Sequence, residues 1–343
     1  MDKRVIALVH DTPVPACHAF SEASLDVLTQ VEAIENTLVE LGHPTVRIPF
    51  TRDISVFIRR MKEEKVAIAF NLCKTVDENP QLAGHPAAVL ELLGIPFSGS
   101  PSMALMLSAD KVITKRLLIA KGIRTADYLI YDGKHEFNAH VLRFPVIVKP
   151  RFEYASIGID QDSIFHDEEE LRKRISEFFS RLGTLLVEEY ISGREFNISL
   201  FGYPSANVLP VAEIDFSAFS EGLFPIVGYR AKWDRASFEY HKTPRKFPQE
   251  LPPALLKNME STAIESFRLL MLRDYGRVDM RVDGRGRIHV LEVDANPYLS
   301  QDAGLAVAAQ EAGIEYPNLV SGMVDFVLQR ATKNQQRIHH YSI

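Results

Sequence analysis

Cysteine is nearly absent. Cys17 and Cys73 are the only two in 343 residues, too few for a disulfide framework, which points to a reducing compartment, the cytoplasm. An excess of positive charge is missing as well. Against 45 aspartates and glutamates stand 39 lysines and arginines, a net charge of -6, whereas broad nucleic-acid binding needs a basic surface to neutralise phosphates. Small phosphorylated ligands stay open, because a few local lysines create a positive pocket inside an acidic protein. No apolar run approaches the roughly 18 residues of a membrane span. The apolar part of the opening MDKRVIALVHD is too short for a signal peptide, so neither a membrane nor a nucleic-acid partner is expected. Also lacking are a GxxxxGKS/T loop, a correctly placed GxGxxG, HExxH and GxSxG, the common nucleotide and hydrolase signatures.

What is present is an ordinary globular composition, 46% hydrophobic and 24% charged, long enough for two or three domains. Residues 5–9 form a short apolar run stopped by His10 and Asp11, as in a buried parallel strand. Strands are predicted again at 45–48, 67–71 and 95–98, with helices between them, one of them N-capped by Asp53. Alternation of this kind implies an open α/β domain up to about residue 108, with ligands beyond the carboxyl ends of its strands. That places His10, Asp11, Asn71 and the loop 73–80 near any site. His10 and His85 are candidates to line it, a satisfied structural histidine being the alternative.

From Asp110 the pattern changes. A helix over 111–121 is followed by a strand, 145–148, running straight into Lys149 and a loop, 151–158. The acidic run 167–170 suits the first turn of a helix better than catalysis. A strand over 185–191 follows. The stretch 217–253, poorly periodic and containing Tyr229, Lys232 and the single tryptophan, Trp233, reads as a functional loop. An amphipathic helix over 255–270 leads to two strands, 277–282 and 288–293, around a Gly284 to Arg287 turn.

Alternation in this hairpin puts Asp279, Arg281 and Asp283 on one face, and Glu292 with Asp294 on one face of its partner. A four-residue turn sets Asp279 opposite Glu292 at roughly 5 Å. Like charges at that distance repel unless a cation lies between them. Three carboxylates with the amide oxygen of Asn296 form a hard-oxygen set suited to Mg²⁺; the alternative is a solvated acidic strand edge. Lys111, Lys149 and Lys232 are candidate phosphate ligands, and Ser156 with Gly158 could add loop contacts to phosphate.

The segments SADKVITKRLL, FPVIVKP, EYASIGI, LLVEEYISGREFNISLFG, YRAKW, YGRVDMRV and HVLEVDANP occur in an order that resembles the ATP-grasp superfamily, most closely its D-alanine–D-alanine ligase branch. The resemblance runs over essentially the whole chain. It implies an α/β chain of ATP-grasp fold behind an N-terminal open parallel α/β domain, divided as 1–108 (substrate side), 109–191 (central subdomain) and 192–343 (C-terminal subdomain with the metal site). By the same resemblance Lys111 and Lys149 hold ATP phosphates, and Ser156 and Gly158 lie in the loop closing over them. Glu188 accepts from the adenine amino group, Ile191 is the hinge whose backbone meets adenine, and Glu195 binds ribose. Lys232 reaches the γ-phosphate from a mobile loop. Asp279, Glu292 and Asp294 hold two Mg²⁺ ions, with Mn²⁺ an alternative, and Arg277 stabilises the oxyanion of a tetrahedral intermediate. A homodimer is implied too.

The departures concern substrate. The branch's His-Gly-Arg-Gly-Gly-Glu-Asp-Gly type loop is replaced by residues 71–79, Asn-Leu-Cys-Lys-Thr-Val-Asp-Glu-Asn. Tyr298 replaces a small glycine beside the acceptor, and Ala303 stands where the branch has a serine holding the acceptor carboxylate. Glu22 corresponds to the carboxylate for the first amino group, on different flanks. The expectation is an ATP-dependent, ADP-forming carboxylate–amine ligase that makes an amide or dipeptide through an acyl-phosphate, from amino-acid-like substrates in remodelled pockets. The alternatives are D-alanine–D-alanine ligation for the cell wall and an ATP-binding protein without turnover.

Overall fold

The computed structural model describes residues 4–12, 21–134, 137, 139–153 and 155–340, without the side chains of 21, 23, 24 and 334–340; Cys17 lies outside them. The chain opens with β1 (Val5–His10), α1 (Ser21–Glu40), β2 (Thr45–Pro49), α2 (Ile54–Glu63) and β3 (Val66–Asn71). The three strands form a parallel sheet in the order β2-β1-β3. Residues Ile6 to Val9 of β1 have no exposed surface, as their unbroken apolar run requires. Alternate side chains serve two cores: Ala7 and Val9 pack with Ile48 and Phe57, whereas Ile6 and Leu8 pack with Val31, Ile34 and Leu38 of α1. The strand predicted at 95–98 is a single parallel bridge, Ala69 to Phe97. Pro96 accepts from the Ala69 N–H at 2.9 Å but has no N–H of its own to extend the ladder.

Next come α3 (His85–Leu92), α4 (Ser102–Ala109) and α5 (Lys111–Ala120), then β4 (Tyr128–Tyr131), β5 (Val146–Pro150), β6 (Ile164–Phe165), α6 (Glu168–Leu182) and β7 (Leu185–Glu189). These four strands make an antiparallel sheet in the order β4-β7-β5-β6. Leu171, Ile175 and Phe178 of α6 close a core over it. The acidic run is a cap: Asp167 accepts from the Glu170 N–H at 2.9 Å, while Glu168 and Glu169 pair with Arg172 and Lys173 one turn on.

A second antiparallel sheet follows, from β8 (Gly193–Gly202), β9 (Asn207–Val208) and β10 (Ala212–Ile214). The long loop carries two short helices, α7 (Tyr229–Trp233) and α8 (Phe238–His241), before β11 (Arg245–Lys246). Then come α9 (Pro253–Leu269), the hairpin β12 (Asp274–Asp283) and β13 (Ile288–Asp294), and finally α10 (Gly304–Glu311) and α11 (Tyr316–His340). The sheet order is β11-β10-β8-β12-β13, with β9 on β8. Two features tie the ends of the chain together. Leu319, Val320, Met323 and Val324 of α11 share one core with β1 and α1, and Leu105 of α4 and Leu118 of α5 share another with α9 and β12. Among the described residues no helix is long and apolar enough to cross a membrane.

Candidate active site

The sheets enclose a cavity of about 900 Å³. Its floor is the face of the large sheet selected by strand alternation: Arg277, Asp279 and Arg281 point into it, while Val278, Met280 and Val282 enter the core beneath. Across the strands this gives one row, Arg245–Ile214–Glu195–Arg281, and beside it another, Asn197–Asp279–Glu292. Asp279 does pair with Glu292, but by a different route from the four-residue turn. Near the turn Val282 faces Ile288 and Met280 faces Val290, and a bulge beyond Met280 restores the one-residue offset.

Arg277 forks onto Asp279, Nε to Oδ1 at 2.8 Å and Nη2 to Oδ2 at 2.9 Å, and lies 3.9 Å from Asp294. Burial opposes its charge, yet Asp279 and Asp294 outweigh that and raise its pKa above the ordinary arginine value. Asn197 donates to Asp279 Oδ1 at 2.8 Å. Asp294 accepts from the Asn296 N–H at 3.0 Å, and Glu292 lies 3.9 Å from Lys111 Nζ. The donor set is hard oxygen, which fits Mg²⁺. In the observed rotamers, however, the carboxylates are braced by Arg277, and among the described residues no three His, Cys, Asp or Glu side chains gather around a point that could hold a metal.

At the other end of the cavity, Lys149 on β5 and Glu188 on β7 lie diagonally on one face by the same alternation, Glu188 being paired with Ile147. Lys149 Nζ donates to Glu188 Oε2 at 2.8 Å, and Lys115, on α5, stands 3.1 Å from Oε1. Burial alone would raise the pKa of Glu188; the two ammonium groups outweigh it and hold the value at about 2. Lys115 is itself 2% exposed and also donates to Thr125 Oγ1 at 2.6 Å and the Ala126 carbonyl at 3.0 Å. Lys111 begins α5 because Asp110 caps that helix, accepting from Val112 and Ile113, and Arg151 fixes Asp110 in turn. The Lys111 ammonium donates to the Glu153 carbonyl. Arg281 Nη2 donates to Glu195 at 2.8 Å, Nη1 to the Ile191 carbonyl at 2.7 Å, and the same guanidinium reaches the Pro225 carbonyl.

Two loops close over this end. Ala155 and Ser156 hold left-handed φ values of 57° and 60°, a conformation costing roughly 1 to 2 kcal/mol per non-glycine residue. Contacts to the long loop secure it: Ser156 Oγ donates to the Val227 carbonyl at 2.7 Å, Trp233 Nε1 to the Ala155 carbonyl at 2.9 Å, and the Tyr229 N–H to the Ile159 carbonyl at 2.7 Å. Lys232, on α7, faces the cavity; burial lowers its pKa, as does Arg277, with Glu292 and Asp279 opposing. Trp233 meets Tyr298 edge-on at 5.7 Å.

The cavity thus brings together Lys111, Lys149, Ser156, Glu188, Ile191, Glu195, Lys232, Arg277, Asp279, Glu292, Asp294 and Tyr298, with exposed Glu22 at its rim. Gly158 does not line it. Its φ of 73° and the Leu182 side chain, 2.6 Å from where a Cβ would stand, explain the glycine. His85 does not line it either: it is exposed at the start of α3, its Nδ1 3.2 Å from the Leu82 carbonyl. His10 is buried with Nδ1 2.7 Å from the Asp11 carbonyl. Asn296 turns away from the hairpin carboxylates, donating from Nδ2 to the Cys73 carbonyl at 2.8 Å. Among the cavity residues, Asn197 and Arg245 were not singled out in the sequence, whereas Lys74 lies in the loop 73–80 and Arg281 on the hairpin face expected there. Lys74 Nζ donates to the Asn296 carbonyl at 2.5 Å and lies 4.1 Å from the Tyr298 ring centre.

A family model described as D-ala D-ala ligase C-terminus matches residues 117–325. The chain belongs to the D-alanine–D-alanine ligase family. It is, with that family, an ATP-dependent, ADP-forming ligase of carbon–nitrogen bonds. The D-alanine–D-alanine ligase of Carboxydothermus hydrogenoformans is 30% identical over 316 residues, 88% of this chain and 93% of that one. That of Aquifex aeolicus is 28% identical over 84% of this chain and 91% of its own. An uncharacterised protein of Sinorhizobium fredii is 30% identical over 87% of each chain. The family's fold is present throughout: the crystal structure of the Bacillus anthracis ligase complexed with ATP superposes with a TM-score of 0.75 at 23% identity, covering 97% of this chain and 99% of that one. This is the ATP-grasp architecture behind an N-terminal parallel sheet.

Proposed function

We propose that the chain phosphorylates the carboxylate of one amino-acid-like substrate with ATP and joins it to the amine of a second, releasing ADP and phosphate. The observation that carries this reading is the convergence of Lys111, Lys149, Lys232 and Arg277 on the cavity that also takes Asp279, Glu292 and Asp294. In this reading Glu188 and Ile191 meet the adenine, Glu195 the ribose, and Lys111 and Lys149 the phosphates. Lys232 neutralises charge on the transferred phosphoryl group. Asp279, Glu292 and Asp294 would hold Mg²⁺, which supplies further charge neutralisation at the phosphates. Arg277 stabilises the oxyanion formed when the amine attacks, a contribution on the order of 3 kcal/mol.

No enzyme nucleophile is required. Cys73 is 1% exposed, and burial together with neighbouring Asp11 pushes its thiol well above the ordinary range. The substrate pair is proposed to differ from two D-alanines, because the Lys74 ammonium over the Tyr298 ring occupies the substrate end. The test is ADP release from the purified protein with ATP and Mg²⁺ against pooled D- and L-amino acids and small carboxylic acids, with products read by mass spectrometry. A pool-dependent rise with a condensed product is expected. Turnover on D-alanine alone would return the protein to cell-wall ligation, and ATP binding without stimulation by any pool would refute the ligase reading.

A further inference from the structure

We propose that one of the two joined substrates is a basic amino acid, whose side-chain ammonium or guanidinium is held by Asp26 and Asp302 at the α1 end of the cavity. This rests on the ligase reading above and names the substrate class. Glu22, Asp26 and Gln30 recur every fourth residue along α1 and so share one face; Glu22 and Asp26 line the cavity. Gln30 pins that face to the loop beyond the hairpin, its Oε1 accepting from the Leu299 N–H at 2.7 Å. In the turn that the Ala303 N–H closes onto the Ser300 carbonyl at 3.0 Å, Asp302 brings a second carboxylate to the same end.

The carboxylates of Asp279 and Glu195, in the same cavity, are each held by an arginine. Those of Asp26 and Asp302 instead make no hydrogen bond and no ion pair among the described residues. Arg235 and Arg245, the exposed arginines of that end, stop short of ion-pair distance from either. Burial and then the Asp302 charge raise the pKa of Asp26, with Lys74 and Arg235 opposing. Like charges brought together with no cation between them favour a ligand that supplies one. Ser300 is an observation independent of charge. It is 5% exposed and lines the cavity, and its hydroxyl has no hydrogen-bond partner among the described residues, whereas buried polar groups are ordinarily satisfied.

The chemistry selects which cation. Two carboxylates and a hydroxyl offer three acceptors, matching the three N–H donors of an ammonium. A bare Ca²⁺ takes six to eight oxygens, and among the described residues no three His, Cys, Asp or Glu side chains gather around a point that could hold a metal. ATP brings no cation, and the attacking amine is consumed in the new bond. The α-ammonium of an amino-acid donor calls for one carboxylate, and this end offers three, Glu22, Asp26 and Asp302. A side-chain cation accounts for the surplus. Lys74 is within electrostatic reach of both Asp294 and Asp26, so the pair adjoins the reacting groups without belonging to the hairpin.

The experiment offers wild type, Asp26→Asn and Asp302→Asn matched pairs of amino acids with ATP, Mg²⁺ and a pool of the remaining amino acids: lysine with norleucine, ornithine with norvaline, arginine with citrulline, in D and L forms. ADP release and product mass are the readouts. The members of a pair share their α-groups and differ in little but side-chain charge. Wild type should incorporate a basic member with kcat/KM at least tenfold above its neutral partner. In each variant the KM for that basic substrate should rise roughly tenfold, while the KM for the neutral partner and for ATP should hold. Asp302 is exposed, so its substitution spares the fold whatever Asp26→Asn does. Turnover confined to uncharged amino acids, equal use of both members of a pair, or an unchanged KM for the basic substrate in either variant overturns the assignment while leaving the ligase reading intact. A wild type stimulated by no pool overturns both.

Discussion

Replacing Lys115 by methionine tests the electrostatics of the nucleotide end most directly. The ammonium is 2% exposed, 3.1 Å from an equally buried Glu188, and it also supplies the donors for Thr125 Oγ1 and the Ala126 carbonyl. Methionine fills a similar volume but leaves those acceptors unserved, and removing one partner of a buried pair costs about 3 to 5 kcal/mol. Lys149 remains on Glu188, so the lower end of that range applies. Titration gives an upper bound of the same order, which Lys115 shares with Lys149. A buried carboxylate lowered from 4.5 to about 2 contributes about 3 kcal/mol. Because its folded value is depressed, that stability is fully present above pH 4.5 and is lost as pH falls toward 2. Urea unfolding followed by circular dichroism at pH 7 and at steps down to pH 3 should therefore show two effects. Lys115→Met should lose about 3 kcal/mol at pH 7, and its stability should fall less steeply with acid than that of wild type. Equal urea midpoints at pH 7, or parallel acid profiles, would refute the reasoning.

Three further outcomes are expected. Asp279→Asn keeps the fold but should lower ADP release at least a hundredfold; retained turnover would take the hairpin out of the chemistry. Arg281→Met frees the Ile191 and Pro225 carbonyls and leaves Glu195 without its fork, so the KM for ATP should rise roughly tenfold, and an unaltered value would show that the fork does not position the ribose carboxylate. Ser156→Ala removes one clasp between the two loops. Faster proteolytic cleavage within residues 151–158 or 217–253 and a lower kcat should follow, and an unchanged cleavage rate in wild type and variant would assign loop closure to other contacts.

What could be read in the sequence depended on how local the determining physics was. Strand β1 was legible because both its faces are covered, and the Asp167 cap because its partners lie within one turn. Helix α4 escaped notice: it is apolar nearly all round, with Ala104, Leu105 and Ala109 buried, so no amphipathic period marks it. The pairing of Asp279 with Glu292 was expected from the wrong turn length, and the bulge beyond Met280 cancels the error. Lys115 and Arg245 carry no local signal, and alternation places Arg281 on the hairpin face without naming its partner. Their surroundings are set by segments remote in the chain: Glu188 for Lys115, Glu195 and Pro225 for Arg281, and Gly304 for Arg245. Asn296 misled for the same reason, donating to the remote Cys73 carbonyl, whereas His85, on the exposed start of α3, lies beside the Leu82 carbonyl three residues earlier.

The core shared by β1, α1 and α11 makes the protein a closed loop of chain, because its first strand and its last helix complete each other's interior. Nicking the backbone near Gly222, in the long loop, would divide that interior between two pieces: Ile6, Leu8 and Leu38 would belong to one, and Tyr275, Leu319 and Met323 to the other. Such halves would stay clasped after cleavage and could reassemble when expressed separately. Trimming α11 instead would strip cover from the opening strand, so damage at one terminus registers at the other.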